Sequence, residues 1–98
     1  MSATRLQYRK LNDEEIRASL GSLSGWALEQ GVITKTYSFD AYKDGLVFAV
    51  AAGYVADKLN HHPDMLVGYD KVKVSVSTHD VSGISPYDIE LARRIDAL

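Results

Sequence analysis

All three histidines of this chain fall in two short segments, Asn60-His61-His62-Pro63 and Ser77-Thr78-His79-Asp80. Imidazole titrates near neutrality, so a histidine can donate a proton to a departing hydroxyl, or accept one, without extreme tuning. His61 and His62 close a helical pattern, where the negative end of the helix dipole favours imidazolium. The same pair could instead only satisfy the orphan carbonyls of a helix end. His79 reads either as a functional group or as a polar residue on the solvated face of a strand. Ser77 shares that face, and Ser77, Thr78 and Asp80 supply donors and acceptors of the kind that recognise a flat polar heterocycle, unless Thr78 and Asp80 only shape a turn. Three histidines could in principle bind zinc, but adjacent residues chelate poorly: in a helix they point about 100° apart and in extended chain to opposite faces. No metal is expected.

The elements that must position these groups follow from periodicity and capping. Asn12 with Glu15 forms a capping box, Leu11 can staple to Ile16, and Gly21 stops this first helix. Trp26 to Phe39 has the features of a hairpin about a Gln30-Gly31 turn, with the β-rich run Val32 to Tyr37 as its second arm. From about Asp40 to Asn60 the pattern is helical, with one apolar stripe at Leu46, Val50 and Tyr54 and another at Phe48, Ala52, Val55 and Leu59. A helix apolar on two sides needs two partners, its own sheet and a neighbouring subunit, so a homo-oligomer is expected. Pro63 disfavours helical geometry at His62 and ends the helix near Asn60 or His61.

Met65 to Tyr69 reads as a short strand, and Lys71 to His79 alternates, with Val72, Val74 and Val76 on one face and Lys73, Ser75, Ser77 and His79 on the other. His79 to Gly83 reads as a loop. A last helix opens on Ser85 as cap, Pro86 at the first helical position and Asp88 closing the box, with Ile84 able to staple to Ile89, and it runs through Ile95. Asp88 is either this cap alone or a group with a further role. Trp26 reads as core, and Asp57 and Lys58 as a solvated helix face. The order αββαββα is that of an α+β domain, an antiparallel sheet covered by helices.

Bulk composition narrows the function classes. A chain of 98 residues with 46% hydrophobic and 24% charged content suits one globular domain over residues 1–98. The net charge of -2, with signs interspersed, offers no basic stripe, so no direct nucleic-acid binding is expected. With no cysteine there is no disulfide framework and no thiolate site, which suits a reducing, cytoplasmic setting. Met1 to Lys10 lacks the apolar region of a secretory signal, and the weakly polar stretch Gly45 to Ala56 is short of the roughly 20 residues a membrane span needs.

Asp57-Lys58-Leu59-Asn60-His61-His62-Pro63, then Tyr69, then Ser77-Thr78-His79-Asp80, then Gly83 and Asp88 together resemble the signature of the pterin-4a-carbinolamine dehydratases. The resemblance extends from Gly25-Trp26 through Phe39 to Leu91-Ala92-Arg93-Arg94-Ile95-Asp96, most of the chain. It implies a four-stranded antiparallel sheet with three helices mainly on one face, assembled as a homodimer or homotetramer. It also implies dehydration of 4a-hydroxytetrahydrobiopterin to quinonoid dihydropterin, in recycling of the cofactor of aromatic amino-acid hydroxylases, with no prosthetic group or metal. Under it His61 and His79 are acid/base residues, His62 assists, Asn60, Ser77, Thr78 and Asp80 hold the pterin, and Asp88 orients a histidine. Asp57 stands where relatives commonly carry glutamate, and Met65 where some carry an aromatic residue or isoleucine; neither touches the histidine set. Some relatives instead serve as dimerisation cofactors of a transcription factor or in assembly of a carbon-fixing enzyme, so a non-catalytic binding module is the alternative.

Overall fold

The computed structural model describes residues 6–98. The leader reading of Met1 to Lys10 therefore falls partly outside the described residues. The elements run α1 (Asp13–Leu20), β1 (Ala27–Glu29), β2 (Val32–Ser38), α2 (Tyr42–Leu59), β3 (Asp64–Val67), β4 (Lys71–Val76), a 3₁₀ turn (His79–Val81) and α3 (Pro86–Asp96). The fold is α+β in the order αββαββα, and the four strands form one antiparallel sheet ordered β1-β2-β4-β3.

Local chemistry accounts for most boundaries. Asn12 and Glu15 make the reciprocal capping box of α1, and Ser85 and Asp88 that of α3 with Pro86 in its first turn. The hairpin turn has positive φ at both Gln30 and Gly31, 50° and 83°, as a two-residue turn matched to strand twist requires. Gly21 does stop α1, but in right-handed geometry rather than the left-handed conformation that favours glycine.

Register defines the buried face. Ile33 opposes Val76, Tyr37 opposes Val72, and Met65 opposes Val74, so these side chains share one face of the sheet. Ile33, Val72, Val74 and Val76 join Ala52 and Ala56 of α2 and Ile89, Leu91, Ala92 and Ile95 of α3 in a single core cluster, with Trp26 and Leu11 inside it. Of the two α2 stripes, Phe48, Ala52, Val55 and Leu59 pack on this core, while Leu46, Val50 and Tyr54 face outward.

Two strand limits differ from the sequence reading. β3 spans Asp64–Val67 rather than Met65–Tyr69: the amide of Gly68 donates to the carbonyl of Lys71 at 2.8 Å, which turns the chain into β4. β4 stops at Val76 rather than His79. Beyond it Thr78 pairs with Gly83, its amide donating to the Gly83 carbonyl at 2.8 Å, so the chain closes on itself and His79 opens the 3₁₀ turn.

Candidate active site

The helix end carrying two histidines is built by a left-handed stop. Asn60 takes φ 53° and ψ 42°, its amide donates to the Asp57 carbonyl and the His61 amide to the Ala56 carbonyl, both at 3.1 Å. These are the bonds that satisfy the last carbonyls of a helix, and asparagine is one of the few side chains that tolerates the conformation. His61 and His62 thus lie just beyond the last turn, not in it, on a backbone that has turned sharply away from the α2 axis.

The two imidazoles meet different surroundings. His61 is 8% exposed and its Nε2 lies 2.6 Å from Oδ1 of Asp88, a residue with no exposed surface. The other carboxylate oxygen of Asp88 accepts from Thr78 Oγ1 at 2.7 Å and from the backbone amide of Ser85 at 2.9 Å. Asp88 is therefore both the α3 cap and the partner of a histidine. A carboxylate is acceptor-only, so the network assigns the His61 proton to Nε2, leaving Nδ1 as the nitrogen free to exchange. Ser85 Oγ and Thr78 Oγ1 are 2.7 Å apart, and among the described residues no buried side-chain nitrogen or oxygen lacks a partner.

His62 is exposed, its Nε2 2.9 Å from Oδ1 of Asp57, so Asp57 is engaged at the helix end as well as solvated. His79 and Asp80 are exposed on the 3₁₀ turn, and Ser77 is half-buried just before it. Thr78 continues the buried alternation of Val72, Val74 and Val76 and points inward to Asp88.

One cavity of about 280 Å³ gathers these groups: Tyr8, Asn60, His61, His62, Ser77, Thr78, His79 and Asp80 line it. Every site residue singled out from sequence is on its wall except Asp88, which lies behind His61. Tyr8 was not anticipated, because it belongs to the irregular segment before α1, where no periodicity marks a facing. Among the described residues no group of three or more histidine, aspartate or glutamate side chains could hold a metal ion, and no helix is long and apolar enough to cross a membrane.

The fold and site together define a small α+β domain whose helix end and strand end converge on a histidine-rich cavity. Comparison gives the family: the model of pterin 4 alpha carbinolamine dehydratase matches residues 9–98, and the chain belongs to that family. A protein of Sulfurisphaera tokodaii that carries the name pterin-4-alpha-carbinolamine dehydratase provisionally is 43% identical over 90 residues, covering 92% of this chain and 97% of its own. A relative with the same provisional name in Natronomonas pharaonis is 42% identical over 89 residues, covering 91% and 95%. The crystal structure of a transcriptional coactivator/pterin dehydratase from Brucella melitensis superimposes with a TM-score of 0.85 at 31% identity, over 90% of this chain and 96% of that one. A pterin dehydratase-like RuBisCO assembly factor of the alpha-carboxysome shares the fold at TM-score 0.60 and 19% identity, over 74% and 83%.

Proposed function

We propose that this chain dehydrates 4a-hydroxytetrahydropterin to quinonoid dihydropterin and water, in recycling of a tetrahydropterin cofactor. The observation that carries the reading is the single cavity in which His61, His62 and His79 stand together with Asn60, Ser77, Thr78 and Asp80. In the reaction a proton goes to the C4a hydroxyl, the C4a–O bond breaks and water leaves. The N5 lone pair forms the C4a=N5 double bond, and the N5 proton is lost to a base. Two proton transfers at adjacent atoms need two positioned acid/base groups, and His61 and His79 come to the cavity from different elements. His62 assists in transfer. Asn60, Ser77 and Asp80 supply polar contacts along the pterin edge, and Thr78 contributes from beneath through Asp88. Each positioned acid or base contributes on the order of 10²–10⁴-fold.

The companion parts of this reading are one domain over residues 1–98, a cytoplasmic location, no metal or prosthetic group, no direct nucleic-acid contact, and a homodimer or homotetramer. The exposed α2 stripe of Leu46, Val50 and Tyr54, with Val47 beside it, supports assembly, since such a surface is what a second copy would cover. Solution mass by light scattering checks it: a monomer at micromolar concentration would refute the oligomer.

The enzyme reading is tested by following dehydration of chemically generated 4a-hydroxytetrahydropterin. Wild type accelerates it over buffer, and His61→Ala and His79→Ala each lose most of that rate while remaining folded. A wild-type chain that adds nothing to the buffer rate removes the enzyme claim and turns attention to a binding or assembly role.

A further inference from the structure

Tyr8 sits in a segment without regular secondary structure, yet that segment is held along its length. Leu11 is in the core, and its amide donates to the Ile84 carbonyl at 2.7 Å. The Arg9 guanidinium donates to both carboxylate oxygens of Glu15, at 3.3 and 2.9 Å. The stem of Lys10 lies against Gly83, so close that a Cβ there would come within 3.0 Å of the lysine Cε. The segment therefore passes over the end of the turn that carries His79 and brings Tyr8 to the rim of the cavity.

There the Tyr8 ring stacks on Tyr87, centroids 4.1 Å apart and planes within 12°. Both rings flank His61, at 6.3 and 5.6 Å between centroids. Partial desolvation first, then the nearness of Tyr87, Asp80 and Asp88, pushes the Tyr8 phenol above its ordinary range, so the ring stays neutral.

Of the eight residues that line the cavity, Tyr8 alone presents a benzenoid ring; the other seven offer imidazole, amide, hydroxyl or carboxylate groups. A bicyclic heterocycle has a polar edge and two π faces. The cavity offers many polar groups suited to such an edge and one carbon ring suited to a face. We infer that Tyr8, backed by Tyr87, is the stacking wall of this site and a specificity-determining residue for flat bicyclic substrates. The inference rests on the pterin reading of the cavity.

The test is calorimetric titration with 7,8-dihydropterin, a bicycle that lacks the 4a-hydroxyl and does not turn over by dehydration. Wild type, Tyr8→Phe, Tyr8→Ala and Tyr87→Ala are compared, with thermal melts to verify folding; Tyr8 is 48% exposed, so its replacement leaves the core intact. Tyr8→Phe binds within about twofold of wild type, Tyr8→Ala about tenfold more weakly, and Tyr87→Ala in between, the range expected for loss of one aromatic stacking partner. In turnover, KM for Tyr8→Ala rises more than kcat falls. Equal affinity of Tyr8→Ala and wild type would overturn the stacking wall while leaving the pterin reading in place. Tyr8→Phe as weak as Tyr8→Ala would also overturn it, since the hydroxyl and not the ring would then be the contact. Failure of wild type itself to bind 7,8-dihydropterin removes the pterin reading and the inference with it.

Discussion

Replacing Asp88 by asparagine keeps the volume of a fully buried side chain and changes one acceptor oxygen into a donor. The carboxylate now accepts from three donors, His61 Nε2 at 2.6 Å, Thr78 Oγ1 at 2.7 Å and the Ser85 amide at 2.9 Å. An amide can keep two of them on its oxygen, and its NH₂ must then face the third. If the amide nitrogen turns to His61, the ring has to take the proton on Nδ1 and accept at Nε2, the reverse of the tautomer that Asp88 imposes. Loss of a charge-assisted hydrogen bond in a buried site costs about 1.5–3 kcal/mol. For a domain of this size that lowers Tm by roughly 7–15 °C. On the dehydratase reading, the wrong tautomer removes one acid/base group, so kcat falls on the order of 10²–10⁴-fold in protein that is still folded at 25 °C. The assay pairs thermal melts followed by circular dichroism with dehydration rates for Asp88→Asn, His61→Ala and the double variant. The double variant is no slower than the slower single one if the two residues act as a unit. Folded Asp88→Asn with kcat within twofold of wild type would refute this account of His61, and a fully additive double variant would separate the two residues.

Two further outcomes follow from local geometry. Asn60→Gly leaves the melting point near wild type because glycine accepts φ 53°, while turnover drops with loss of the side-chain amide at the cavity, whereas Asn60→Val costs about 1–2 kcal/mol of stability as well; equal melting points of the two variants contradict the left-handed stop. At the far end of α3, partial burial pushes the Asp96 carboxyl up, but hydrogen bonds from Tyr37, Lys35 and Trp26 outweigh it and hold it below the usual range, while burial and then Asp96 itself push the Tyr37 phenol up. A depressed carboxyl contributes stability that is present above its unfolded pKa and lost as pH falls through the folded one; a raised phenol contributes stability present below its unfolded pKa and lost as pH rises past it. Urea midpoints therefore drop both below about pH 4 and above about pH 10, and Asp96→Asn flattens the acid limb while Tyr37→Phe flattens the alkaline one. Acid limbs that coincide for wild type and Asp96→Asn would rule out this linkage.

Much of the architecture is written in short-range chemistry. Capping boxes at Asn12 and Ser85, the Gln30-Gly31 turn and the valine alternation of β4 are decided by neighbours within a few residues, so the sequence alone determines them. The same is true of the residue types at the cavity: three histidines beside Asn60, Ser77, Thr78 and Asp80 were legible as one set because their spacing matches a family signature. What local pattern could not decide is which chain segments meet. That β4 ends at Val76 depends on Thr78 finding Gly83 across a turn, and alternation by itself would have carried the strand on to His79. That Asp88 is more than a cap depends on α2 and α3 packing together, which brings His61 to its Oδ1 across 27 positions of sequence. Tyr8 reaches the cavity only because Leu11 and Lys10 anchor an aperiodic segment over the site. Hydrogen bonds within one turn are encoded where they form, whereas a contact between distant segments exists only once the core that both pack against has been assembled.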